Sequence, residues 1–146
     1  MYDDILLPYD GSREARKGAE HGIGLAASLG ATVHAMYVID LPGVPRAMSI
    51  RDDEESMRAE YREYGEEVTG ELCGMATEES VECEPVIKTG QPAEEIVDYA
   101  ESEGMDAIVI GSAYRGTFRA LLGSTAEKVV RTSTIPVVTT RMDMNE

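Results

Sequence analysis

The chain has 146 residues, 42% of them apolar, and a formal charge of −15. That length suits one domain, residues 1–146, with enough apolar mass for a real core. Its 28 carboxylates face 13 bases, only three of them lysines (Lys17, Lys88 and Lys128), which argues against binding nucleic acid or an anionic membrane. No apolar run reaches membrane-spanning length, and the N-terminus lacks the basic-then-apolar pattern of a secretory signal. A cytoplasmic location is therefore expected. Many acids beside few lysines also resemble proteins of a high-salt cytoplasm, where salt screens self-repulsion. The alternative is an ordinary acidic bacterial or archaeal protein. The halophile reading predicts stability that rises from low salt to molar KCl in a denaturation series; a flat or falling trend contradicts it.

Strand and helix signals alternate along the chain. Ile5, Leu6 and Leu7 form a short apolar run ending at Pro8. Ser12 starts a long helix with Ala15, Ala19, Ile23 and Ala26 on one face, and Gly30 is placed to end it. Residues 32–39 are almost continuously apolar, as in a central parallel strand. A loop at 41–45 leads to a second helix. There Met57, Tyr61, Tyr64, Val68, Leu72 and Met75 recur at helical spacing among solvated acids. Val81, Cys83, Pro85 and Ile87 alternate with Glu82, Glu84 and Val86, and the internal proline marks an edge strand. Ala93, Ile96, Val97 and Ala100 give a third helix, and residues 107–110 a fourth strand. A glycine-rich loop follows, then a fourth helix for which Ser124 and Glu127 match a capping box. Residues 135–140 form the last strand.

Five strands alternating with four helices imply a Rossmann-like parallel sheet covered on both faces. Ligands in such sheets bind beyond the carboxyl ends of the strands, where strand order reverses. Three ends carry candidate groups: Pro8-Tyr9-Asp10-Gly11-Ser12, Val38-Ile39-Asp40, and Ile110-Gly111-Ser112. In the glycine loop, backbone and helix N–H groups are placed to meet phosphate.

Other constellations are weaker. Gly22-Ile23-Gly24 resembles the start of a dinucleotide fingerprint but lies inside a helix rather than after a strand. There is no Walker A lysine, and strand 3 ends in Ile87-Lys88-Thr89, without a receiver-type aspartate. His21 and His34 have no neighbouring ligand in sequence, so packing is expected of both and no metal site is proposed. Cys73 and Cys83 have neither metal nor CxxC spacing, and free, buried or half-buried thiols are expected. No clear general base appears, so no catalytic residue is assigned.

Pro8-x-Asp10-Gly11-Ser12, Tyr37-Val38-Ile39-Asp40, the 111–124 loop and Ile135-Pro136-Val137-Val138 together resemble the universal stress protein family over essentially the whole chain. The resemblance implies an adenine-nucleotide α-hydrolase-like sheet with strand order 3-2-1-4-5, usually in a homodimer, and in some members a bound ATP. In ATP-binding members the loop reads glycine, two residues, glycine, nine residues, glycine, then Ser or Thr. Gly111 and Gly123-Ser124 match its ends. The second glycine falls on Tyr114, and the loop is one residue short, with Gly116 two positions late. Tyrosine is costly if that position needs positive φ. Arg115 and Arg119 in the same loop offer charge-assisted bonds to a triphosphate, or are surface charges balancing the acids.

By the resemblance, Asp10 and the backbone of Val38 hold the adenosine part, and Gly111, Gly123, Ser124 and Thr125 hold the ribose and phosphates. Pro8, Tyr9, Ile110, Ser112 and Arg115 are further nucleotide-binding candidates beside them. The ligand is ATP, or AMP or ADP, with Mg²⁺ held through the phosphates. Asp10 in an Asx-turn, Ser124 in a capping box and the glycines in turns are the simpler structural readings of the same residues. The last strand has no charge before Arg141, so its β-branched edge invites a second copy to pair through residues 135–141. Packing of residues 142–146 over that edge is the alternative. The functional readings are a nucleotide-binding stress-response regulator with an unspecified protein partner, a dimeric interaction protein that lost the ligand, and, more weakly, a slow ATPase.

Overall fold

The elements follow one another as β1 (Asp4–Pro8), α1 (Arg13–Leu29), β2 (Thr32–Ile39), α2 (Arg51–Glu78), β3 (Cys83–Thr89), α3 (Pro92–Ser102), β4 (Ala107–Tyr114), α4 (Ser124–Thr132) and β5 (Val137–Asp143). The structure is a computed structural model and describes residues 1–40, 51–114 and 123–143. All five strands are parallel, in the order β3-β2-β1-β4-β5. Strand order reverses between β1 and β4, which places the switch point at the centre of the sheet.

Each face of the sheet has its own core. Ile5, Leu7, Val33, Ala35, Tyr37 and Val109 point towards α1 and α2, where Ala19, Ile23, Val68 and Leu72 cover them. Leu6, Met36, Ile108 and Ile110 point the other way, against Ala93, Ile96 and Val97 of α3 and Ala126 and Val129 of α4. This two-sided burial is why β1, β2 and β4 read as continuous apolar runs.

Helix α1 explains its own glycines. Ser12 caps it, its Oγ accepting from the Ala15 N–H at 3.2 Å, and Gly30 ends it at φ +69°. Gly18 and Gly22 are buried in its interior, where glycine costs about 1 kcal/mol of helix propensity. They are needed for close packing. A Cβ on Gly18 would stand 2.6 Å from the Gly111 nitrogen, and one on Gly22 would overlap Leu7 Cδ2. In the Gly22-Ile23-Gly24 pattern, Gly22 and Ile23 thus pack into the core, while Gly24 faces outward on the helix.

Three features differ from the sequence expectation. First, β4 does not stop at residue 110. It continues through Gly111, Ser112, Ala113 and Tyr114, pairing with Thr140, Arg141, Met142 and Asp143 of a correspondingly longer β5. Met142 and Asp143 therefore extend the edge strand rather than fold over it. Second, Cys73 and Cys83 are not free thiols but a disulfide joining α2 to β3. Third, only the C-terminal half of the α2 apolar stripe reaches the core. Val68 and Leu72 are buried, whereas Met57, Tyr61 and Tyr64 remain 37–43% exposed.

At the opposite end from the switch-point loops, the Asp106 carboxylate accepts from the Asp3 and Asp4 N–H groups at 2.8 and 3.0 Å, and these bonds hold its carboxyl below the usual range. His34 is buried in the same region. Its Nε2 lies 2.9 Å from Asp4 Oδ1 and its Nδ1 3.0 Å from the Tyr99 hydroxyl, so both ring nitrogens have partners. No cluster of three or more metal-binding side chains occurs among the described residues. No helix among them is long and apolar enough to cross a membrane.

Candidate functional site

A cleft of about 660 Å³ opens beyond the carboxyl ends of β1, β2 and β4, at the switch point. Its volume lies within the range of small-molecule sites. Pro8, Tyr9, Asp10, Val38, Ile110, Gly111, Ser112, Gly123, Ser124 and Thr125 all line it. Arg115 lies outside the described residues, as do Gly116 and Arg119.

The β1 end is held from three sides. Asp10 makes the Asx-turn, its Oδ1 accepting from the Ser12 N–H at 2.9 Å. Gly11 adopts φ +84°, a conformation that favours glycine. The Tyr64 hydroxyl donates to the Asp10 carbonyl at 2.9 Å, and its ring meets Tyr37 edge-on at 5.5 Å. Burial raises the Tyr37 phenol above its ordinary pKa, with Tyr64, Tyr61 and Asp10 adding to the effect. Burial, then the nearby Glu71 carboxylate, does the same for Tyr9. Both phenols stay neutral at physiological pH, so the cleft's aromatic walls carry no charge.

The β4 end carries different chemistry. Gly111 is not at positive φ and makes no turn. It is glycine because α1 passes directly over it: a Cβ there would overlap the Glu14 carbonyl oxygen and lie 2.7 Å from its carbon. Tyr114 closes the strand in extended backbone, opposite Asp143, so the strain expected of tyrosine at a glycine position does not arise.

The Ser112 hydroxyl accepts from the Gly123 N–H at 2.6 Å and fixes the entry to α4. Gly123 is therefore the N-cap, at φ −60° and ψ 156°, and it makes no side-chain cap bond. The capping box expected at Ser124 does not form as read, because this anchor starts the helix one residue early and makes Ser124 its first residue. Among the described residues, no side chain takes the first-turn N–H groups that a cap would use.

The lining also includes residues that the sequence reading did not assign as site residues. Pro92 and Ile96 of α3 close one side, and Glu14 and Asp40 add carboxylates near Asp10. The signal for α3 was Gln91-Pro92 after an edge strand: Gln91 caps the helix, its Oε1 accepting from the Glu94 N–H at 2.8 Å. Among the described residues, no Lys, Arg or His lines the cleft. An anion there would meet backbone N–H groups, hydroxyls and a helix N-terminus.

Residues 1–141 match the Universal stress protein family. The chain belongs to the universal stress protein family. Universal stress protein MJ0531 of Methanocaldococcus jannaschii is 34% identical over 150 residues, covering 100% of this chain and 86% of that protein. The solved structure of protein MJ0577, from the same organism, has a TM-score of 0.81 at 26% identity and covers 97% of each chain. A universal stress protein family protein from Arabidopsis thaliana, solved with AMP bound, has a TM-score of 0.71. It is 19% identical, covering 98% of this chain and 94% of that one, so the likeness is one of fold. The strand order 3-2-1-4-5 and the helices on both faces are those expected of the family.

Proposed function

We propose that the cleft binds an adenine nucleotide, ATP or its AMP and ADP relatives, and that occupancy sets the conformation or partner of a cytoplasmic stress-response regulator. One observation carries this reading. The adenosine-side residues Asp10 and Val38 and the phosphate-side residues Gly123, Ser124 and Thr125 share one cleft, with a helix N-terminus that no described side chain caps among them. The N-terminus of α4 supplies about half a unit of positive charge and N–H donors, and Ser124 and Thr125 add hydroxyls. Asp10 keeps a second carboxylate oxygen for a ribose or base donor while Oδ1 serves the turn. The acids of the cleft disfavour a bare triphosphate, so Mg²⁺ bound through the phosphates suits it better. The AMP in the Arabidopsis protein is consistent with an adenine ligand on this fold.

Gly123→Val tests the phosphate side with little cost to the fold. The native φ of −60° suits any residue, and among the described residues the nearest atom to an added Cβ is Ser112 Oγ at 3.3 Å. The side chain stands where phosphate would approach. ATP affinity should fall at least about tenfold, equivalent to ~1.4 kcal/mol, with the thermal midpoint nearly unchanged. Wild-type affinity in this variant would move the phosphates elsewhere.

The same reading includes a homodimer through residues 135–141. β5 is an edge of the sheet, and Lys17 Nζ donates to the Arg141 carbonyl at 2.8 Å from the α1 side. Sedimentation at micromolar concentration should give the mass of two chains. A monomer would overturn the pairing without touching the nucleotide assignment.

A further inference from the structure

The Cys73–Cys83 bond lies at the far edge of the sheet from β5, between the last turns of α2 and the first residue of β3. Both cysteines are half-buried. They border a shallow depression of about 520 Å³, walled by Thr32, Thr77, Ser80, Glu82 and Glu84. Large enough for an attacking thiolate, it gives access to a bond that packs on the margin of the α1–α2 core rather than inside it.

The bond is not needed to position its own ends. β3 stays laddered to β2 by backbone bonds from Val33–Cys83 to Ile39–Thr89. Leu72 and Ala76 of α2 and Val81 before β3 are buried in the core, flanking both cysteines. The turn between them is closed by backbone bonds, from the Val81 N–H to the Ala76 carbonyl and from the Val33 N–H to the Glu82 carbonyl, each 2.9 Å. With the sulfurs separated, the two Cα atoms would still be held near their present 5.3 Å. The bond can therefore open and reform without refolding. Small secreted domains use disulfides to replace a missing core, but here the core is complete on both faces. In a reducing compartment such a bond is a transient, redox-responsive one.

We propose that Cys73–Cys83 is a thiol–disulfide exchange site, opened in the folded protein by a dithiol reductant of the thioredoxin class. One thiolate of the reductant attacks one of the two sulfurs, the Sγ–Sγ bond breaks, and the other cysteine leaves as a thiolate and takes a proton. The second thiol of the reductant then attacks the mixed disulfide. This releases the remaining cysteine as a thiol and leaves the reductant as its own disulfide. Two electrons and two protons pass to Cys73 and Cys83. In the reduced form α2 and β3 are joined by packing and backbone bonds alone, which makes this edge the redox-responsive part of the fold.

The test uses the full-length oxidised protein in native buffer. Dithiothreitol, and separately thioredoxin kept reduced by its reductase, are followed by iodoacetamide trapping and intact-mass measurement, with far-UV circular dichroism recorded in parallel. Both reductants should yield two alkylated cysteines within minutes and an unchanged helix signal, and glutathione disulfide should then restore the bond. A Cys83→Ser variant, unable to close the ring, should retain one glutathione on Cys73. Alkylation only after denaturant is added would make the bond a buried staple and overturn the proposal. So would two thiols that glutathione disulfide never pairs, or a Cys83→Ser variant that takes up no glutathione. None of these readouts depends on nucleotide.

Discussion

Gly111→Ala is expected to destabilise the protein by about 3–5 kcal/mol, at or above the top of the ordinary range for overpacking. The cause is one contact between two backbones. A Cβ at 111 would overlap the Glu14 carbonyl oxygen and come within 3.2 Å of Ala15 Cα. A long side chain could rotate away, but a helix backbone can relieve the overlap only by moving off the sheet. That movement would part Gly18 from the β4 backbone and loosen Ala15, Ala19 and Ile23 together. For a domain whose net stability is about 5–15 kcal/mol, the loss is a large fraction of the total. Urea denaturation of the variant should show a midpoint lowered accordingly. Gly24→Ala is the control: it sits in the same helix with no described residue within 4 Å of an added Cβ, and should gain about 0.5–1 kcal/mol from helix propensity. A Gly111→Ala midpoint within error of wild type would mean that α1 does not lie on β4 as described.

Reduction of Cys73–Cys83 is expected to cost about 2–3 kcal/mol. The two residues are separated by 10 positions, and closing a ring of that length removes entropy from the unfolded chain by roughly that amount. For a chain of this size the thermal midpoint should fall by ~4–12 °C, at ~2–4 °C per kcal/mol. The folded state changes little, because backbone bonds and buried side chains on both sides keep β3 and α2 in register. Melts with and without dithiothreitol, and of Cys73→Ser with Cys83→Ser, measure this directly. Superimposable melts with and without reductant would show that the bond carries none of the stability.

The alternation of strands and helices was legible because each element is local: a cap at Ser12, a left-handed stop at Gly30, apolar periods of the right kind between them. The edge position of β3 was legible from Pro85 and its flanking acids, and the switch-point cleft followed from topology. What escaped the sequence reading depends on pairs distant along the chain. Gly111-Ser112-Ala113-Tyr114 has loop composition, yet it is strand because residues 140–143 are placed to pair with it. The disulfide needs the register of β3 against the end of α2, which no spacing between two cysteines reports. Ser124 loses its capping role to a bond from residue 123 to Ser112, eleven positions back. Gly111 looked like a phosphate glycine and is required first of all by a helix packed on top of it.

The claim on which the functional reading depends is adenine-nucleotide binding in the switch-point cleft, and calorimetric titration of the purified protein with ATP and Mg²⁺ tests it most directly. The prediction is a saturable heat with one site per chain, strongly weakened in Gly123→Val. The absence of any heat, together with no thermal shift at millimolar ATP, would contradict the assignment and leave a protein that keeps the family's scaffold without its ligand.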